Sequence, residues 1–438
     1  MYQLPMKLTP IFHSPNRLIV GDAPLVGVLD LPTCPSNQQR PPIRLFFPAA
    51  TTETRASHKP PRRRRRVVQC AKYFVDNRVS YVLQGFAHIA FAAHTTKMYR
   101  FFLRPLMWMI SLVFPARFLK IPNTALVTAK DDSAIRYYPL DNNKNNETNN
   151  NQSLVVFSHG LTGTGEENAL FCTALAKKGY VVACIHHRDG SSSRVPMPDG
   201  TCKFFEHLPR GENFSPNHRL EQVSYRAKEF LYTTKWLLGE ERGGEDYDHP
   251  ILRQIRLNLD SKRVIASGFS YGSTTCSLAA TVEPERYQCA VFLDGWFHID
   301  FSSRGYVYNF PPEAFGEDWP DGANNGNEKS HTVESNDGLK IPSIFINSAE
   351  FAGYKQMYGA TTKLANIINA HNKDNRSIPE TTLHVIPNTK HQNFCDLGFW
   401  LPKVMLRRLG KNLALGDADV FEASESILDL TAKFLKQF

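Results

Sequence analysis

The sequence predicts an α/β protein whose central sheet is mostly parallel and is covered by helices on both faces. Two short apolar runs, residues 154–157 and 180–185, flank a segment, residues 167–178, whose apolar positions follow helical spacing. This order is β-α-β, and the same alternation continues toward the C-terminus. A chain of 438 residues, of which 42% are hydrophobic and 21% are charged, can also bury the large core that such a sheet needs.

The segments after this first unit continue the alternation of strand and helix patterns. Apolar side chains recur at helical spacing between Val223 and Leu238, and residues 263–266 then have the composition of a buried strand. Further strands are expected at residues 290–293, 343–346 and 382–386, with two antiparallel edge strands earlier in the chain at residues 25–29 and 43–47. Apolar runs without alternation are typical of strands that helices cover on both faces.

Composition divides the chain into three parts. Residues 1–140 are expected to hold the edge strands, a basic loop and apolar helices, all integrated into one domain. Seven of the twelve residues in 141–152 are Asn, which is typical of an exposed spacer. Residues 153–438 form the core of the fold, interrupted at 302–341 by a Pro-, Asn- and charge-rich segment that we interpret as a surface insertion.

The positive charge is local. The formal net charge is +9, and the first seventy residues contain eleven Lys and Arg against three Asp and Glu, so +8 of the total lies there. Because the rest is nearly neutral, a broad nucleic-acid-binding surface is disfavoured. Five consecutive arginines, residues 62–66, carry most of this charge. A solvated loop, a contact with anionic lipid headgroups and a nuclear-import patch all remain interpretations of this run.

The cysteines and the N-terminus bear on location. Eight cysteines are scattered without a Cys-x-x-Cys pair, and several lie in apolar runs such as 182–185. This pattern favours reduced core thiols in a reducing compartment. The first residues form no hydrophobic signal-peptide segment. The expected location is the cytoplasm, with membrane association as an option.

That option rests on residues 79–118, which are rich in Phe, Met and Trp. Their apolar runs are too short or too polar to span a bilayer, so two short hydrophobic helices are predicted. One interpretation is that these helices pack on the domain. The other is that residues near 99–118 contact a lipid surface peripherally, with Arg100, Arg104 and Arg117 at headgroup level.

A Gly-x-Ser-x-Gly motif marks the candidate nucleophile. Gly268, Ser270 and Gly272 directly follow the predicted strand and precede a helix-forming run, residues 275–280. A serine on such a tight strand-to-helix turn needs glycines on either side, because a side chain there would collide with neighbouring elements. Its hydroxyl then projects at a helix N-terminus, which favours developing negative charge. The motif therefore predicts Ser270 as a nucleophile.

An oxyanion hole is expected beside it. Residues 158–163, Ser-His-Gly-Leu-Thr-Gly, leave the end of an earlier strand and form a loop of the oxyanion type. The main-chain N–H groups of Leu161 and Tyr271 are the predicted donors. His159 is interpreted as a structural, hydrogen-bonded residue.

The base and the acid should follow the serine in the chain. His384 lies within a predicted strand and is expected to be buried, whereas His391 lies in the loop after that strand, where its ring can reach Ser270. Asp294 directly follows a strand, and Glu350 follows the next one. Position alone favours Asp294 as the acid and leaves Glu350 as the alternative.

These motifs, in this order, resemble the platelet-activating-factor acetylhydrolase family, of the plasma or type II kind. The matching segments are residues 154–161, 182–183, 187–193, 222–223, 226–229, 259–262, 293–296, 345–348 and 391–394. The resemblance runs from about residue 21 to residue 399, and it is far more specific than the pentapeptide.

The resemblance implies an α/β-hydrolase fold. It also implies a calcium-independent serine esterase that cleaves short or oxidised sn-2 acyl chains of phospholipids, the activity of a 1-alkyl-2-acetylglycerophosphocholine esterase. Carried over by residue, Ser270 is the nucleophile, Asp294 the acid and His391 the base. Leu161 and Tyr271 are the oxyanion donors, and no metal or organic cofactor is implied.

Two residues depart from the family pattern. Phe269 stands where the family usually has His, and Ser273 stands where it usually has Gly, so the acyl pocket is expected to differ. Two other functions stay open. One is a carboxylesterase or lipase for non-phospholipid esters, and the other is a non-catalytic lipid-binding protein on a hydrolase scaffold.

Overall fold

A computed structural model describes most of the chain. The described residues are 18–32, 40–51, 71, 85, 120–127, 135–139, 152–197, 199, 201–206, 216–241, 249–297, 339–375, 377–400 and 415–438. The arginine run 62–66 and the apolar segment 99–118 lie outside them, as do nearly all of the spacer 141–152 and of the insertion 302–341. The interpretations of these four segments stay predictions.

The described strands form one large sheet and a small hairpin. Those of the large sheet are β1 (Leu25–Leu31), β2 (Ile43–Thr51), β3 (Thr124–Val127), β4 (Ile135–Tyr137), β5 (Gln152–Ser158), β6 (Val181–Ile185), β9 (Leu259–Phe269), β10 (Cys289–Leu293), β11 (Ser343–Ser348) and β12 (Thr382–Ile386). The hairpin joins β7 (Arg194–Pro196) and β8 (Cys202–Phe204). The sheet order is β12-β11-β10-β9-β5-β6-β2-β1-β3, with β4 paired to β2.

The mostly parallel sheet is confirmed, and one detail of its prediction is wrong. All neighbours from β12 across to β6 are parallel, and β1 and β2 are antiparallel as expected. However, β1 and β2 are not edge strands. The short run that forms β3 pairs with β1, and β2 lies between β6 and β1, which explains why nearly all of β2 is buried.

Helices cover both faces of this sheet. They are α1 (Ala169–Lys177), α2 (Pro216–Leu237), α3 (Pro250–Asn258), α4 (Tyr271–Val282), α5 (Ala349–Gly353), α6 (Lys355–Asn372), α7 (Leu397–Trp400) and α8 (Val420–Leu435). Alternate residues of β5 enter two separate cores: Leu154 and Val156 pack with α2, α3 and α4, whereas Val155 and Phe157 pack with α1 and α8. Because successive strand side chains point to opposite faces, both sides of β5 are apolar.

Three predicted boundaries are corrected by burial and hydrogen bonding. Gln152, assigned to the spacer, already belongs to β5. Leu339 and Ile341, assigned to the surface insertion, are buried in the core, since they lead directly into β11. The helix predicted from residue 167 begins at Ala169, which leaves Glu167 in the preceding turn.

Three further findings concern the cysteines, membrane-spanning helices and metal-binding clusters. Cys172, Cys184, Cys276, Cys289 and Cys395 are buried, in agreement with their placement in apolar runs. Within the described ranges, no helix has the length and apolar character needed to cross a bilayer. The same ranges contain no cluster of three or more His, Cys, Asp or Glu side chains placed to hold a metal ion.

Candidate active site

Ser270 lies on a strained turn between β9 and α4. Its φ is 54° and its ψ is −121°, a conformation that costs a non-glycine residue on the order of 1–3 kcal/mol. A Cβ on Gly268 would lie 2.4 Å from the main chain of Gly272, and a Cβ on Gly272 would lie 2.0 Å from the carbonyl oxygen of Ser158. The two flanking glycines are therefore required by close main-chain contacts, as the motif predicts.

The loop that carries Leu161 packs directly on this turn. A Cβ on Gly160 would lie 3.2 Å from the Cβ of Ser270. The N–H of Tyr271 opens α4 and has no intrahelical acceptor. The N–H of Leu161 donates to no acceptor among the described residues. The two predicted oxyanion donors thus lie on the two segments that meet at Ser270, and neither N–H has an acceptor among the described residues.

His391 is hydrogen-bonded to Asp294. Its Nδ1 lies 2.7 Å from Oδ2 of Asp294, whose carboxylate is buried, whereas the histidine side chain is 19% exposed. Ser348 holds the carboxylate from the other side, because its N–H donates to Oδ1 at 2.6 Å and its Oγ donates to Oδ2 at 2.9 Å. A carboxylate fixed in this way keeps the proton of the neutral imidazole on Nδ1 and leaves Nε2 able to accept one.

The alternative acid and the alternative base occupy other positions. Glu350 makes no hydrogen bond to the ring of His391. Instead, its Oε2 accepts the main-chain N–H of His391 at 2.9 Å, which favours Asp294 as the acid. His384 lies in the edge strand β12 and is half-buried rather than buried, because nothing described pairs with the outer side of that strand. Burial lowers the pKa of His384.

Ser270 and His391 lie at the same end of the sheet, beyond the carboxyl ends of β9 and β12. The ring of Phe269, next to Ser270, stacks on the imidazole of His391 with centroids 4.8 Å apart. The N–H of Ser270 donates to the carbonyl of Leu293, the residue before Asp294, at 2.9 Å. No hydrogen bond joins Oγ of Ser270 to His391 in this structure. Such bonds often tighten only in the substrate complex.

The buried guanidinium of Arg226 holds the oxyanion loop in place. Arg226 donates to the carbonyl of His159, to Oγ of Ser158 at 3.0 Å and to Oγ of Ser191 at 2.9 Å. It also lies 4.8 Å from the centroid of the Tyr271 ring. The loop is therefore held by a charge-assisted network rather than by solvent.

Two buried histidines complete this network. His187 is bonded through Nε2 to Oγ of Ser158 and through Nδ1 to Glu229, each at 2.9 Å. Burial lowers the pKa of His159 and of His187 well below the usual value, which favours the neutral form of both rings. His159 donates from Nδ1 to the carbonyl of Gly160 at 2.7 Å, which agrees with its predicted structural role.

Glu167 is a further titratable group at this loop. Its Oε1 accepts the N–H of Gly160 at 2.5 Å, and its carbonyl accepts the N–H of Asp396, beyond the His391 turn, at 2.7 Å. Burial raises the pKa of Glu167 to about 8, against the opposing effect of the Gly160 N–H. Glu167 thus links the oxyanion loop to the segment that follows His391.

Sequence reasoning missed several of these residues. The roles of Arg226, His187 and Glu229 were not predicted, although all three lie in segments that match the family pattern. The role of Ser348, in the matching segment 345–348, was also missed, because its contact with Asp294 joins distant parts of the chain. Phe351 lies outside the matching segments, and its ring stacks on the imidazole of His391 with centroids 4.3 Å apart.

Comparisons with known proteins show what this chain is similar to. Residues 124–301 match the family model "Platelet-activating factor acetylhydrolase, isoform II". The matched range includes Ser270 and Asp294 and ends before His391. The platelet-activating factor acetylhydrolase of Bos taurus is 28% identical over 174 residues, which cover 36% of this chain and 38% of that protein. The Cavia porcellus protein of the same name is 24% identical over 310 residues, with 67% of this chain and 58% of that protein covered.

These matches span about two fifths to three fifths of the curated relatives' length. A solved structure of a ferulic acid esterase from Streptomyces cinnamoneus superposes with a TM-score of 0.51 at 15% identity, covering 96% of this chain and 92% of the other. The resemblance predicted from the motifs is confirmed, and the fold is that of an α/β-hydrolase. The family match and the curated relatives support a hydrolase, whereas the structural match supports the fold alone.

Proposed function

We propose that this chain is a serine esterase that hydrolyses short or oxidised sn-2 acyl esters of phospholipids through an acyl-enzyme, without calcium. The observation that carries the proposal is the Asp294–His391 hydrogen bond, formed at the sheet edge where the strained turn presents Ser270. The names of the curated relatives support the phospholipid class of substrate.

The first half of the reaction forms the acyl-enzyme. Nε2 of His391 accepts the hydroxyl proton of Ser270 as Oγ attacks the sn-2 carbonyl carbon. Negative charge then develops on the carbonyl oxygen, where the N–H groups of Leu161 and Tyr271 donate. Each such donor is typically worth on the order of 2.7–4 kcal/mol in the transition state. Collapse breaks the ester C–O bond, and the imidazolium protonates the departing sn-2 oxygen of the lysophospholipid.

The second half hydrolyses the acyl-enzyme. His391 accepts a proton from water, the resulting hydroxide attacks the acyl carbon, and the same donors receive the new oxyanion. The imidazolium returns its proton to Oγ of Ser270, and the carboxylic acid leaves. Asp294 remains a carboxylate throughout, because its task is to orient the ring and stabilise the imidazolium.

The test is release of acetate from a phospholipid with an sn-2 acetyl group. Ser270→Ala should reduce turnover to background, while Ser277→Ala, on the same helix α4, should retain it. Equal turnover by Ser270→Ala and the unsubstituted protein would contradict the proposal. Faster turnover of a p-nitrophenyl ester than of any phospholipid would instead favour a general carboxylesterase.

We further propose that the chain meets its substrate at a lipid surface through residues near 99–118. This part of the proposal rests on the apolar composition of that segment alone. Sedimentation with phosphatidylcholine vesicles should be lost when Trp108 and Phe114 are both replaced by Ser. Unchanged sedimentation would contradict it. A cytoplasmic location remains part of the proposal, and microscopy of the tagged full chain tests it.

A further inference from the structure

The imidazole of His391 is stacked between two phenyl rings. The ring of Phe351 is parallel to it within 4°, with centroids 4.3 Å apart. The ring of Phe269 lies 4.8 Å away at an interplanar angle of 24°. Both distances are those of direct aromatic contact.

The two rings lie on opposite faces of the imidazole. Rings stacked side by side on one face would contact each other, and Phe269 and Phe351 form no ring pair with each other within the described ranges. The hydrogen bond to Asp294 is made in the plane of the imidazole, at Nδ1. The stack and the hydrogen bond therefore restrain the ring in different directions.

Phe351 is fixed by the same hydroxyl that fixes the acid. Ser348 caps α5, because its Oγ accepts the N–H of Phe351 at 3.0 Å. The same Oγ donates to Asp294 at 2.9 Å. One residue earlier than Phe351, Glu350 accepts the main-chain N–H of His391. The helix α5 thus holds the main chain of His391 and one face of its ring, and its cap holds the acid.

Phe269 is fixed by the other half of the site. It is the last residue of β9, it is only 3% exposed, and it lies against the oxyanion loop, since a Cβ on Gly160 would be 3.2 Å from its ring. Its place directly before Ser270 means that the turn that orients the nucleophile also sets this face of the stack.

We propose that Phe269 and Phe351 are positioning residues for His391, forming a clamp that keeps the imidazole in one plane. A single in-plane hydrogen bond leaves the ring able to tilt about the bond to Asp294. Two apolar faces in contact remove that freedom and exclude water from both sides of the ring. The electron-rich faces also favour the imidazolium that forms in each half of the reaction. This inference rests on the proposed function, because it assigns the clamp to the histidine of that site.

The decisive experiment compares Phe351→Leu with Phe351→Tyr in the full chain, with acetate release as the assay. Phe351→Leu keeps an apolar side chain but removes the flat face, so kcat should fall roughly 10- to 100-fold as the ring loses its alignment. KM should stay unchanged, because the clamp acts in the transition state. Phe351→Tyr retains the aromatic face and should restore kcat to within about threefold of the unsubstituted protein.

Two further variants complete the series, one in the clamp and one control away from it. Phe269→Leu should lower kcat in the same way as Phe351→Leu. Phe438→Leu, which removes one ring from the Phe434–Phe438 pair, should change neither parameter. If the thermal unfolding midpoint of Phe351→Leu matches that of Phe438→Leu, the fall in kcat comes from the lost stack and not from a loss of folding.

A spectroscopic measurement reports the stack directly. In protein labelled with ¹³C-histidine and assigned with His391→Gln, the ring protons of His391 should be shifted upfield by the currents of both phenyl rings. Phe351→Leu should remove part of that shift.

Unchanged kcat in both leucine variants, or a ring shift that neither alters, would overturn the clamp. Absence of acetate release by the unsubstituted protein would overturn the proposed function itself, and with it the catalytic role of the clamp.

Discussion

The two halves of the candidate site are held in place by different means. Ser270 and the oxyanion donors are set by main-chain geometry. The positive φ of Ser270 and the close contacts at Gly268 and Gly272 leave no freedom in that turn. Here the requirement is local, and it shows as a short motif.

The histidine half is built from side chains that come together from distant segments. His391 depends on Asp294, 97 residues earlier in the chain, and on Glu350, 41 residues earlier. Nothing in the immediate neighbourhood of His391 requires these partners. The comparison teaches that an atom added to the turn on the nucleophile side should disrupt it. On the histidine side, activity should fall by an amount that depends on which contact is removed.

The largest effect is expected from an added methyl group on the nucleophile side. In Gly272→Ala the new Cβ would lie 2.0 Å from the carbonyl oxygen of Ser158, so the turn and the oxyanion loop must move apart. We expect about 3 kcal/mol of destabilisation and background acetate release. In Gly359→Ala, on α6, the new methyl group meets nothing within 4 Å and should stabilise by about 0.5–1 kcal/mol. Denaturant unfolding compares the two, and equal stability would contradict the comparison.

Removal of the acid should be the next largest effect, and it should leave the fold intact. In Asp294→Asn the amide can donate to Nδ1, which favours the wrong tautomer of His391, and kcat should fall about 10⁴-fold. The half-buried Asp260, near the start of β9, offers a control, since Asp260→Asn should retain full turnover. A loss below tenfold in Asp294→Asn would show that the acid lies elsewhere.

A smaller effect is expected at Glu350, which holds the main chain of His391 rather than its ring. Glu350→Ala removes the acceptor of the His391 N–H and should cost about 1 kcal/mol of stability and roughly tenfold in kcat. Glu350→Gln keeps a carbonyl oxygen at that place and should retain most of the activity. If the two variants were equally impaired, the charge of Glu350 rather than its hydrogen bond would matter, and the main-chain role would be wrong.

The last effect concerns the pH dependence of stability on the nucleophile side. Burial raises the pKa of Glu167 from the usual 4.5 to about 8, so the folded state binds that proton more tightly than the unfolded state. The contribution of Glu167 to the free energy of unfolding is therefore greatest at low pH and falls as the pH rises from about 4.5 to 8.

Glu167→Gln removes this dependence. Relative to the unsubstituted protein, the variant should be more stable at pH 9 than at pH 5. Denaturant unfolding at both values measures the difference, with Glu422→Gln on the exposed first turn of α8 as the control. The same offset at both pH values for Glu167→Gln would rule out this titration.

The sequence predicted the strands and the reactive residues of the site better than the residues that hold them in place. Apolar runs located β5, β6 and the strands around Asp294 and His391, because a strand buried on both faces needs little else to be recognised. The same reasoning placed β1 and β2 at an edge, since the four residues of β3 are too short to show a pattern. Glu350 was correctly placed near the site, but only the hydrogen bond to the His391 main chain distinguishes its role from that of Asp294.

The aromatic clamp shows why the rest could not be predicted. Phe351 is one of 29 phenylalanines, and nothing in the chain around it indicates a stack on an imidazole. Phe269 was noticed only as a departure from the family pattern. Its ring contact with His391 depends on the twist of the sheet and on the path of the loop after β12, neither of which a single sequence specifies.

The central claim is that the hydroxyl of Ser270 is the nucleophile of this fold. Reaction of the folded protein with a fluorophosphonate, followed by digestion and mass spectrometry, tests it most directly. We expect one adduct, on the peptide that contains Ser270, and strong suppression of that adduct in His391→Gln. An adduct on another serine, or no adduct on folded protein, would contradict the account.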